Sequence, residues 1–363
     1  MNLGFYNIYP KCNHNRMFQS ASADIGDDLY YSTAYLAKAL KGLGHEVATI
    51  DMEPLESFDA VVFADCPNWI SNLMNWKDDP KSFGLGGSYL RRLVKMGNKP
   101  LYLIITEGAA VWSPNWKRAN HAPFKKVFTW SPALADGKKY IRMHMCFNLP
   151  EFEPYAPSQA DKFCCLISSQ KYSWAPEELY SERVRAIRWF EKHHPDEFDL
   201  YGQRWDRFFF KKGFTRLNLA LEQAYRMCPW LPRYRNFPSA RGPVPSKRDV
   251  MRRYKFSISY ENASYPGWLA EKMLDAMFAG SVPVYLGDPE VTQFVPKEAF
   301  IDKRNFPDYD SLYRYLKGMS QTEYEGYRQA MHKFVHGETI KLMGGDAFVD
   351  MIVREIINPR PGA

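Results

Sequence analysis

The chain has 363 residues, of which 45% are hydrophobic and 25% charged, with a formal net charge of +7 at pH 7, and this fits a globular protein of two domains. Its six cysteines show no paired spacing, which argues against a disulfide framework and indicates a reducing compartment. No run approaches the roughly 20 apolar residues of a membrane helix. Residues 1–9 lack the basic leader and apolar stretch of a signal peptide, so we expect a first strand there and a cytoplasmic protein.

The first part of the chain alternates strands with helices, which predicts a parallel, doubly wound α/β domain. The apolar and amphipathic runs predict, in order, strand 2–8, helix 24–43, strand 46–50, strand 58–64, helix 88–96 and strand 101–106. The glycine-rich run 84–87 has no strand leading directly into it and is interpreted as a flexible loop. Three prolines within 150–158 indicate a linker, so the first domain is placed at 1–155.

A second α/β domain is predicted over 156–340, followed by a C-terminal helix within 341–363. Its predicted elements are strand 163–168, helix 177–193, strand 198–200, strand 255–260, a helix up to Gly280, strand 282–286, strand 299–301, and helices at about 311–319 and 322–336. The last helix of the chain is predicted at about 347–357.

The segment 254–287 carries the strongest functional signal. Its pattern predicts a strand, a loop broken by Pro266 and Gly267, a helix and a second strand. In such a βαβ unit the loop and the helix N-terminus lie at the carboxyl edge of the sheet, where backbone N–H groups and the helix dipole suit a phosphate. Lys272 and Glu271 lie within two turns of that edge. They offer a cation to a diphosphate and a carboxylate to a ribose diol.

The same segment resembles the donor-binding signature of the α-1,3/4-fucosyltransferases. Glu261-Asn262, then Trp268-Leu-Ala-Glu-Lys, then Val-Pro-Val-Tyr-Leu-Gly are similar to that family's Phe-Glu-Asn, Tyr-(Ile/Val)-Thr-Glu-Lys and Val-Pro-(Val/Ile)-x-x-Gly. The chain departs from the pattern at Tyr260, Trp268 and Ala270. Because Trp268 lacks the hydroxyl of the family's tyrosine, a transferase that uses another nucleotide sugar is kept as an alternative.

The resemblance covers roughly residues 163–319 and implies the GT-B fold, with two Rossmann-like, doubly wound parallel-sheet domains facing a cleft. It also implies an inverting transfer of fucose from GDP-fucose to a hydroxyl of an N-acetylglucosamine- or glucose-containing glycan. A non-catalytic nucleotide- or glycan-binding relative is the alternative from another class.

Asp308-Tyr309-Asp310 resembles a metal-binding Asp-x-Asp motif, but it directly precedes a predicted helix and is interpreted as an N-cap. We therefore expect no metal and no cofactor beyond the GDP-sugar co-substrate.

The resemblance also extends to the first half of the second domain. Arg183-Val-Arg and Asp199-Leu-Tyr201-Gly202 are similar to the family's Arg-(Leu/Val)-Arg and Val-Asp-x-Tyr-Gly, which implies that Arg183 binds phosphate. Lys171 is a candidate second cation, and a solvated helix charge is the alternative for Arg183. The expected donor-binding set is Lys171, Arg183, Tyr201, Glu261, Asn262, Trp268, Glu271 and Lys272.

Glu107 is the candidate general base that takes the proton from the acceptor hydroxyl. It follows the predicted strand 101–106 and precedes a Ser-Pro-Asn loop, so it lies at the carboxyl edge of the first sheet. The family places its proposed base in a glutamate-containing loop after the equivalent strand. Asp65, after the strand 58–64, is the reserve candidate, and a surface cap is the alternative interpretation of Glu107.

The segment 203–253 is strongly basic, with 13 Lys or Arg against 3 Asp or Glu and thus a net charge of +10. Aromatic residues lie among these charges. The pattern fits a solvated face that partly serves the nucleotide, or a surface for an anionic lipid-linked acceptor or the inner face of the membrane. No nucleic-acid-binding motif accompanies the charge, so we expect no nucleic-acid partner.

Overall fold

A computed structural model describes residues 1–19, 28, 30–67, 85–151, 153–156, 158–208, 210, 215–228, 230–231, 234 and 236–359. The chain forms two compact units, one of residues 1–149 with 338–363 and one of residues 150–337. The sequence predicts boundaries at 155 and 340, with 341–363 as a separate C-terminal segment. The structure instead packs the end of the chain into the first unit, because Phe348, Val349 and Ile352 join the same apolar core as Leu36 and Leu40.

The first unit is built on a parallel sheet with the order β2-β1-β3-β4-β5-β6. Its strands are β1 Asn2–Asn7, β2 Glu46–Thr49, β3 Ala60–Ala64, β4 Leu101–Ile104, β5 Lys126–Thr129 and β6 Tyr140–Arg142. Its helices are α1 Tyr31–Gly42, α2 Leu85–Met96 and α9 Gly345–Ile352, followed by a π-helical turn at Val353–Ile357. The parallel α/β domain expected from the sequence is confirmed.

Two features of the first unit differ from the sequence-based prediction. The prediction of a loop at 84–87 is wrong for Gly86 and Gly87, which lie in the first turn of α2. Gly84 is outside the described residues. Residues 24–27 and 29 of the expected helix 24–43 also lie outside them, and α1 begins at Tyr31. The strands β5 and β6 were not predicted. Lys126 interrupts the apolar pattern of β5, and it is buried because its Nζ lies 2.6 Å from Glu355 Oε2, far along the chain.

The second unit contains another parallel sheet, with the order β12-β11-β10-β7-β8-β9. Its strands are β7 Lys162–Ile167, β8 Phe198–Tyr201, β9 Ala240–Gly242, β10 Tyr254–Tyr260, β11 Val282–Leu286 and β12 Ile301–Asp302. Its helices are α3 Tyr180–His193, α4 Thr215–Met227, α5 Lys247–Met251, α6 Glu271–Phe278, α7 Tyr309–Gly318 and α8 Gln321–Val335. The strand order reverses between β7 and β10, and ligands of open α/β sheets bind at such a switch point.

Apolar strand residues account for both sheets. All five residues of β3 are buried, as are the last five of β10, which is the pattern of strands covered on both faces. Within the described parts of the chain, every helix is too short or too polar to span a bilayer.

Candidate functional site

The loop that follows β10 forms the centre of the candidate site in the second unit. It runs from Glu261 to Ala270 and leads into the N-terminus of α6. The loop after the neighbouring strand β7 holds Lys171, whose side chain is exposed. The two loops therefore start from the two strands at the switch point of the sheet.

Glu261 is a buried anchor of this loop. Its Oε1 accepts a hydrogen bond of 2.8 Å from the Ala270 backbone N–H, and its Oε2 lies 3.5 Å from Lys272 Nζ. Burial raises the pKa of the Glu261 carboxyl, while the Lys272 charge opposes that rise. A Cβ on Gly287 would lie 2.4 Å from Glu261 Cγ, so the glycine that ends the signature makes room for this side chain. The structure thus uses Glu261 to fix the start of α6, with its carboxylate away from solvent.

Lys272 and Glu271 form a charged cluster at the first turn of α6. Lys272 Nζ lies 3.3 Å from Glu271 Oε1, and Lys247 Nζ from α5 lies 3.6 Å from the same oxygen. Partial desolvation opposes ionisation of Glu271, but the two lysine charges outweigh it and lower its pKa. The Glu271 side chain is 41% exposed and that of Lys272 is 15% exposed. The cluster thus presents an ionised carboxylate and a partly accessible ammonium at a helix N-terminus.

Lys247 was missed as a member of this cluster. In the sequence it is one of many basic residues of the segment 203–253. Only the fold brings α5 beside α6, where Lys247 Nζ also lies 3.3 Å from Asp275 Oδ2. The sequence around Lys247 gives no local sign that this lysine pairs with carboxylates of α6.

Arg183 is buried in α3 and clamps the end of β10. Its Nε and Nη2 donate to the Tyr260 carbonyl at 3.1 and 2.7 Å, and Nη2 also donates to Asn262 Oδ1 at 3.0 Å. Burial lowers the pKa of the guanidinium. Nη1 takes no part in these three bonds. The structure therefore brings Arg183, Asn262 and Glu261 together, and Arg183 also has a structural part that the sequence did not indicate.

Trp268 lies in the same loop and is buried. Its ring stacks on Tyr265 with a centroid distance of 5.8 Å and an interplanar angle of 25°. Trp268, which departs from the family pattern, thus lies within the signature loop, three residues before the start of α6.

Tyr201 is the candidate that the structure does not bring to this cluster. Its hydroxyl lies 2.9 Å from that of Tyr254, the first residue of β10, and Tyr254 donates a 2.6 Å hydrogen bond to Asp199. Glu261 follows the opposite end of the same strand. The next residue, Gly202, has a φ of +123°, and a Cβ there would lie 2.0 Å from the Ser168 carbonyl. The Asp-x-Tyr-Gly run therefore supports the sheet and the loop after β7.

Glu107 lies just beyond β4 in the first unit, as expected. Its backbone N–H donates to Asp65 Oδ1 at 3.1 Å, and its carbonyl accepts from Asn115 Nδ2 at 3.1 Å. Asp65, the reserve candidate for the base, is fully buried, and its carboxylate accepts four hydrogen bonds. A carboxylate in that state has no access to an acceptor hydroxyl, so Asp65 is set aside as a base.

The Asp308 interpretation is confirmed, since its side chain accepts from the Ser311 N–H at 2.7 Å and caps α7. In the part of the chain that the structure describes, His, Cys, Asp and Glu side chains form no group of three suited to a metal ion.

The basic segment 203–253 divides into two parts. Five of its cations form ion pairs with carboxylates of the second unit: Arg241, Lys247, Arg248, Arg252 and Arg253. By composition, the stretch 203–235 contains eight Lys or Arg against two Asp or Glu. It also exposes apolar side chains, among them Trp230 at 78% and Met227 at 62%.

Comparison with known families identifies the segment that contains the loop after β10 and the start of α6. Residues 234–340 match the model of the "Glycosyltransferase family 10 (fucosyltransferase) C-term". The chain is 31% identical over 74 residues to the α-(1,3)-fucosyltransferase FucT of Helicobacter pylori, which is 20% of this chain and 16% of that protein. It is 32% identical over 95 residues to an α-(1,4)-fucosyltransferase of Arabidopsis thaliana, which is 25% of this chain and 24% of that protein. The matches thus span about a sixth to a quarter of the length of these curated relatives.

Solved structures support the fold over nearly the whole chain. A crystal structure of an α1,3-fucosyltransferase aligns with a TM-score of 0.50 and 12% identity, covering 97% of this chain and 88% of that one. The structure of Anabaena HepE in complex with UDP and glucose aligns with a TM-score of 0.50 and 11% identity, covering 99% of both chains. The GT-B fold expected from the sequence is confirmed.

Proposed function

We propose that this chain transfers fucose from GDP-fucose to a hydroxyl of an N-acetylglucosamine- or glucose-containing glycan, since residues 234–340 match the C-terminal model of glycosyltransferase family 10, the fucosyltransferases. The observation that carries the proposal is the charged cluster at the start of α6. There Lys272 and Glu271 stand at a helix N-terminus on the carboxyl edge of a parallel sheet, within the segment that matches the family. This combination of ammonium, carboxylate and backbone N–H groups suits a nucleoside diphosphate.

The proposed reaction is a single displacement that inverts the anomeric carbon. The acceptor oxygen bonds to that carbon while the bond from the carbon to the diphosphate oxygen breaks, and GDP leaves. Glu107 takes the proton of the acceptor hydroxyl. Lys272 lowers the energy of the negative charge that builds on the departing diphosphate, because a positioned cation stabilises developing charge.

Contacts of Glu271, Arg183 and Trp268 support a proposed part for each, and Lys171 is assigned one from its place in the fold. Glu271 is ionised and partly exposed, so it is suited to accept hydrogen bonds from a ribose diol. Arg183 holds Asn262 in place and has Nη1 outside its structural bonds, which leaves that group for a phosphate oxygen. Lys171 would add charge from the loop after β7. Trp268 shapes the loop by its stack on Tyr265.

The experiment is a transfer assay with GDP-fucose and a panel of N-acetylglucosamine- and glucose-terminated acceptors. We expect a fucosylated product whose anomeric configuration, read by NMR, is opposite to that of the donor. Retention of configuration would contradict the displacement. Transfer from UDP-glucose alone would favour the alternative of another nucleotide sugar, to which the departure at Trp268 points.

The proposed reaction requires no metal ion. Asp308, the first residue of the Asp-x-Asp sequence, is engaged as a helix cap, which supports the proposal. Turnover should persist in excess EDTA. Complete loss of transfer that added Mn²⁺ or Mg²⁺ restores would contradict it.

We also propose that the stretch 203–235 docks the protein on anionic lipid, where a lipid-linked acceptor is held at the inner face of the membrane. Its positive charge and its exposed Trp230 and Met227 support this proposal, because basic segments with exposed apolar side chains bind anionic membrane surfaces. Flotation with vesicles that contain phosphatidylserine should show binding that weakens as salt screens the charges. Trp230→Ser should reduce the bound fraction, and equal binding to neutral vesicles would contradict the proposal.

A further inference from the structure

The loop that carries Glu107 is attached to a buried polar pair, Asp65 and Asn115. Both side chains are almost completely inaccessible to solvent. Asp65 follows β3 and has a φ of 65°, the left-handed conformation that non-glycine residues rarely adopt. An unusual backbone angle held by buried hydrogen bonds indicates that the surrounding structure determines this position closely.

Asp65 organises the end of the neighbouring strand. Its Oδ1 accepts from the Thr106 N–H at 2.8 Å, the Glu107 N–H at 3.1 Å and Asn115 Nδ2 at 2.6 Å. Its Oδ2 accepts from the Thr106 hydroxyl. The Ile105 N–H still bonds to β5, at the Phe128 carbonyl. The next two backbone N–H groups, those of Thr106 and Glu107, both donate to the same Asp65 oxygen.

Asn115 completes the attachment from the other side. Its Nδ2 donates to the Glu107 carbonyl at 3.1 Å as well as to Asp65, and its Oδ1 accepts from the Cys66 N–H at 2.8 Å. Trp116 Nε1 also donates to the Glu107 carbonyl, at 3.2 Å. Both backbone polar groups of Glu107 are therefore fixed by side chains that themselves have little freedom.

From this arrangement we infer that Asp65 and Asn115 are positioning residues: they set the place from which the Glu107 carboxylate acts on the acceptor hydroxyl. The inference rests on the proposed role of Glu107 as base. Displacing a base by about 1 Å from its productive position lowers the reaction rate by roughly two orders of magnitude. Holding the backbone of Glu107 in place therefore protects the rate. Neither Asp65 nor Asn115 needs to contact the substrate.

A double-mutant cycle between Asn115→Ala and Glu107→Gln tests the inference. In the wild-type background, Asn115→Ala should lower kcat by about 10- to 100-fold and leave GDP affinity unchanged. In the Glu107→Gln background the same change should lower the residual rate less than about threefold, because a group that acts through Glu107 has nothing left to position. Equal losses in both backgrounds would overturn the inference.

Two tryptophans in the same loop provide a matched pair. Trp116→Phe removes the indole N–H that bonds the Glu107 carbonyl, whereas Trp112→Phe removes an indole N–H that bonds the Cys66 carbonyl at 2.8 Å. We expect kcat to fall in the first variant and to stay near the wild-type value in the second. An equal fall in both would indicate general loosening of the loop and would contradict positioning. If Asn115→Ala does not fold, Trp116→Phe takes its place in the cycle.

Asp65→Asn provides a rescue arm. The amide oxygen can accept the three N–H groups that Oδ1 accepts now, and the amide nitrogen can donate to the Thr106 hydroxyl, so kcat should stay within about tenfold of the wild-type value. Asp65→Ala should lose much more. If Glu107→Gln by itself keeps its turnover, the proposed base is wrong and the inference falls with it. If Glu107→Gln loses turnover while Asn115→Ala and Trp116→Phe do not, the base stands and only the inference fails.

Discussion

Each of the two units buries a carboxylate where a parallel strand ends, but the two carboxylates have different partners. Asp65 follows β3 and is held by four neutral donors. Glu261 follows β10 and is held by one backbone N–H and the ammonium of Lys272. Burial raises the pKa of both carboxyl groups. The two differ in what offsets the cost of burying the charge. Hydrogen bonds from neutral groups offset it for Asp65, whereas the positive charge of Lys272 contributes for Glu261.

This difference matches what each site has to do under the proposed function. A base that meets a neutral hydroxyl must be placed accurately, and hydrogen bonds to backbone groups provide placement. A site for a diphosphate must supply positive charge, and a lysine shared between Glu261 and Glu271 at a helix N-terminus supplies it. The comparison therefore predicts that changes in the first unit affect turnover, while changes around α6 affect nucleotide affinity.

The largest expected effect is on turnover, from Glu107→Gln. The change keeps the shape of the side chain and removes its basicity, so kcat should fall by roughly 10²- to 10⁴-fold. GDP affinity, measured by calorimetry, should be unchanged. Glu46→Gln, at the exposed start of β2, is the control and should leave both quantities at their wild-type values. Near-wild-type turnover in Glu107→Gln would show that Glu107 is not the base, and that the first unit does not control turnover through this residue.

The next effect is on nucleotide affinity, from Lys272→Met. Loss of a charge-assisted hydrogen bond to the diphosphate should weaken GDP binding by about 1.5–3 kcal/mol, or roughly 10- to 150-fold. Lys255→Met removes an exposed lysine near the other end of β10 and should leave the affinity unchanged. If the two variants bind GDP equally well, the cluster at α6 is not the diphosphate site.

The third effect concerns stability rather than function, from Asp199→Asn. Burial disfavours the Asp199 carboxylate, but bonds from Lys162, Tyr254 and Arg241 outweigh it and lower its pKa to about 2. A carboxyl group whose pKa is lower in the folded state than in the unfolded state stabilises the fold at any pH above its unfolded-state pKa. That stabilisation is lost as the pH falls through the folded-state pKa. The variant should be less stable by about 2 kcal/mol at pH 7.

The stability difference should shrink as the pH falls from about 4 toward about 2, as denaturant titrations at several pH values would show. GDP affinity should be unchanged, because Asp199 supports the sheet and lies apart from the α6 cluster. Asp161→Asn removes an exposed ion pair with Arg253 and is the control, with little effect on stability. A stability difference that does not depend on pH would contradict an origin in the ionised Asp199 carboxylate.

The sequence predicted the elements that local patterns define. The strand 282–286 has the predicted bounds, and the helix that ends before Gly280 follows from the turn residues around it. The short strand β5 was missed, because its buried Lys126 is compensated by Glu355 from the other end of the chain, and β6 has only three residues, too few to show a strand pattern. A local pattern cannot show a partner that is more than 200 residues away.

The candidate site shows the same limit. A carboxylate directly after a buried strand is visible in the sequence, and this signal found Asp65, Glu107 and Glu261. Whether such a carboxylate reaches solvent depends on what packs over it, and the fold buries Asp65 and Glu261. Asn115 stood in the Ser-Pro-Asn loop that marked Glu107, but its two bonds to the Asp65 and Glu107 groups become visible only in three dimensions.

Binding of GDP to the cluster at the start of α6 can be measured by melting the protein with GDP, UDP, CDP or dTDP at equal concentrations. A ligand that binds only the folded state stabilises it by about 2.7 kcal/mol at a concentration 100 times its Kd. If the cluster binds GDP, GDP should raise the melting temperature of the wild-type protein, and Lys272→Met should lose most of that rise. A rise with UDP alone, or a rise with GDP that Lys272→Met keeps in full, would contradict GDP binding at this cluster.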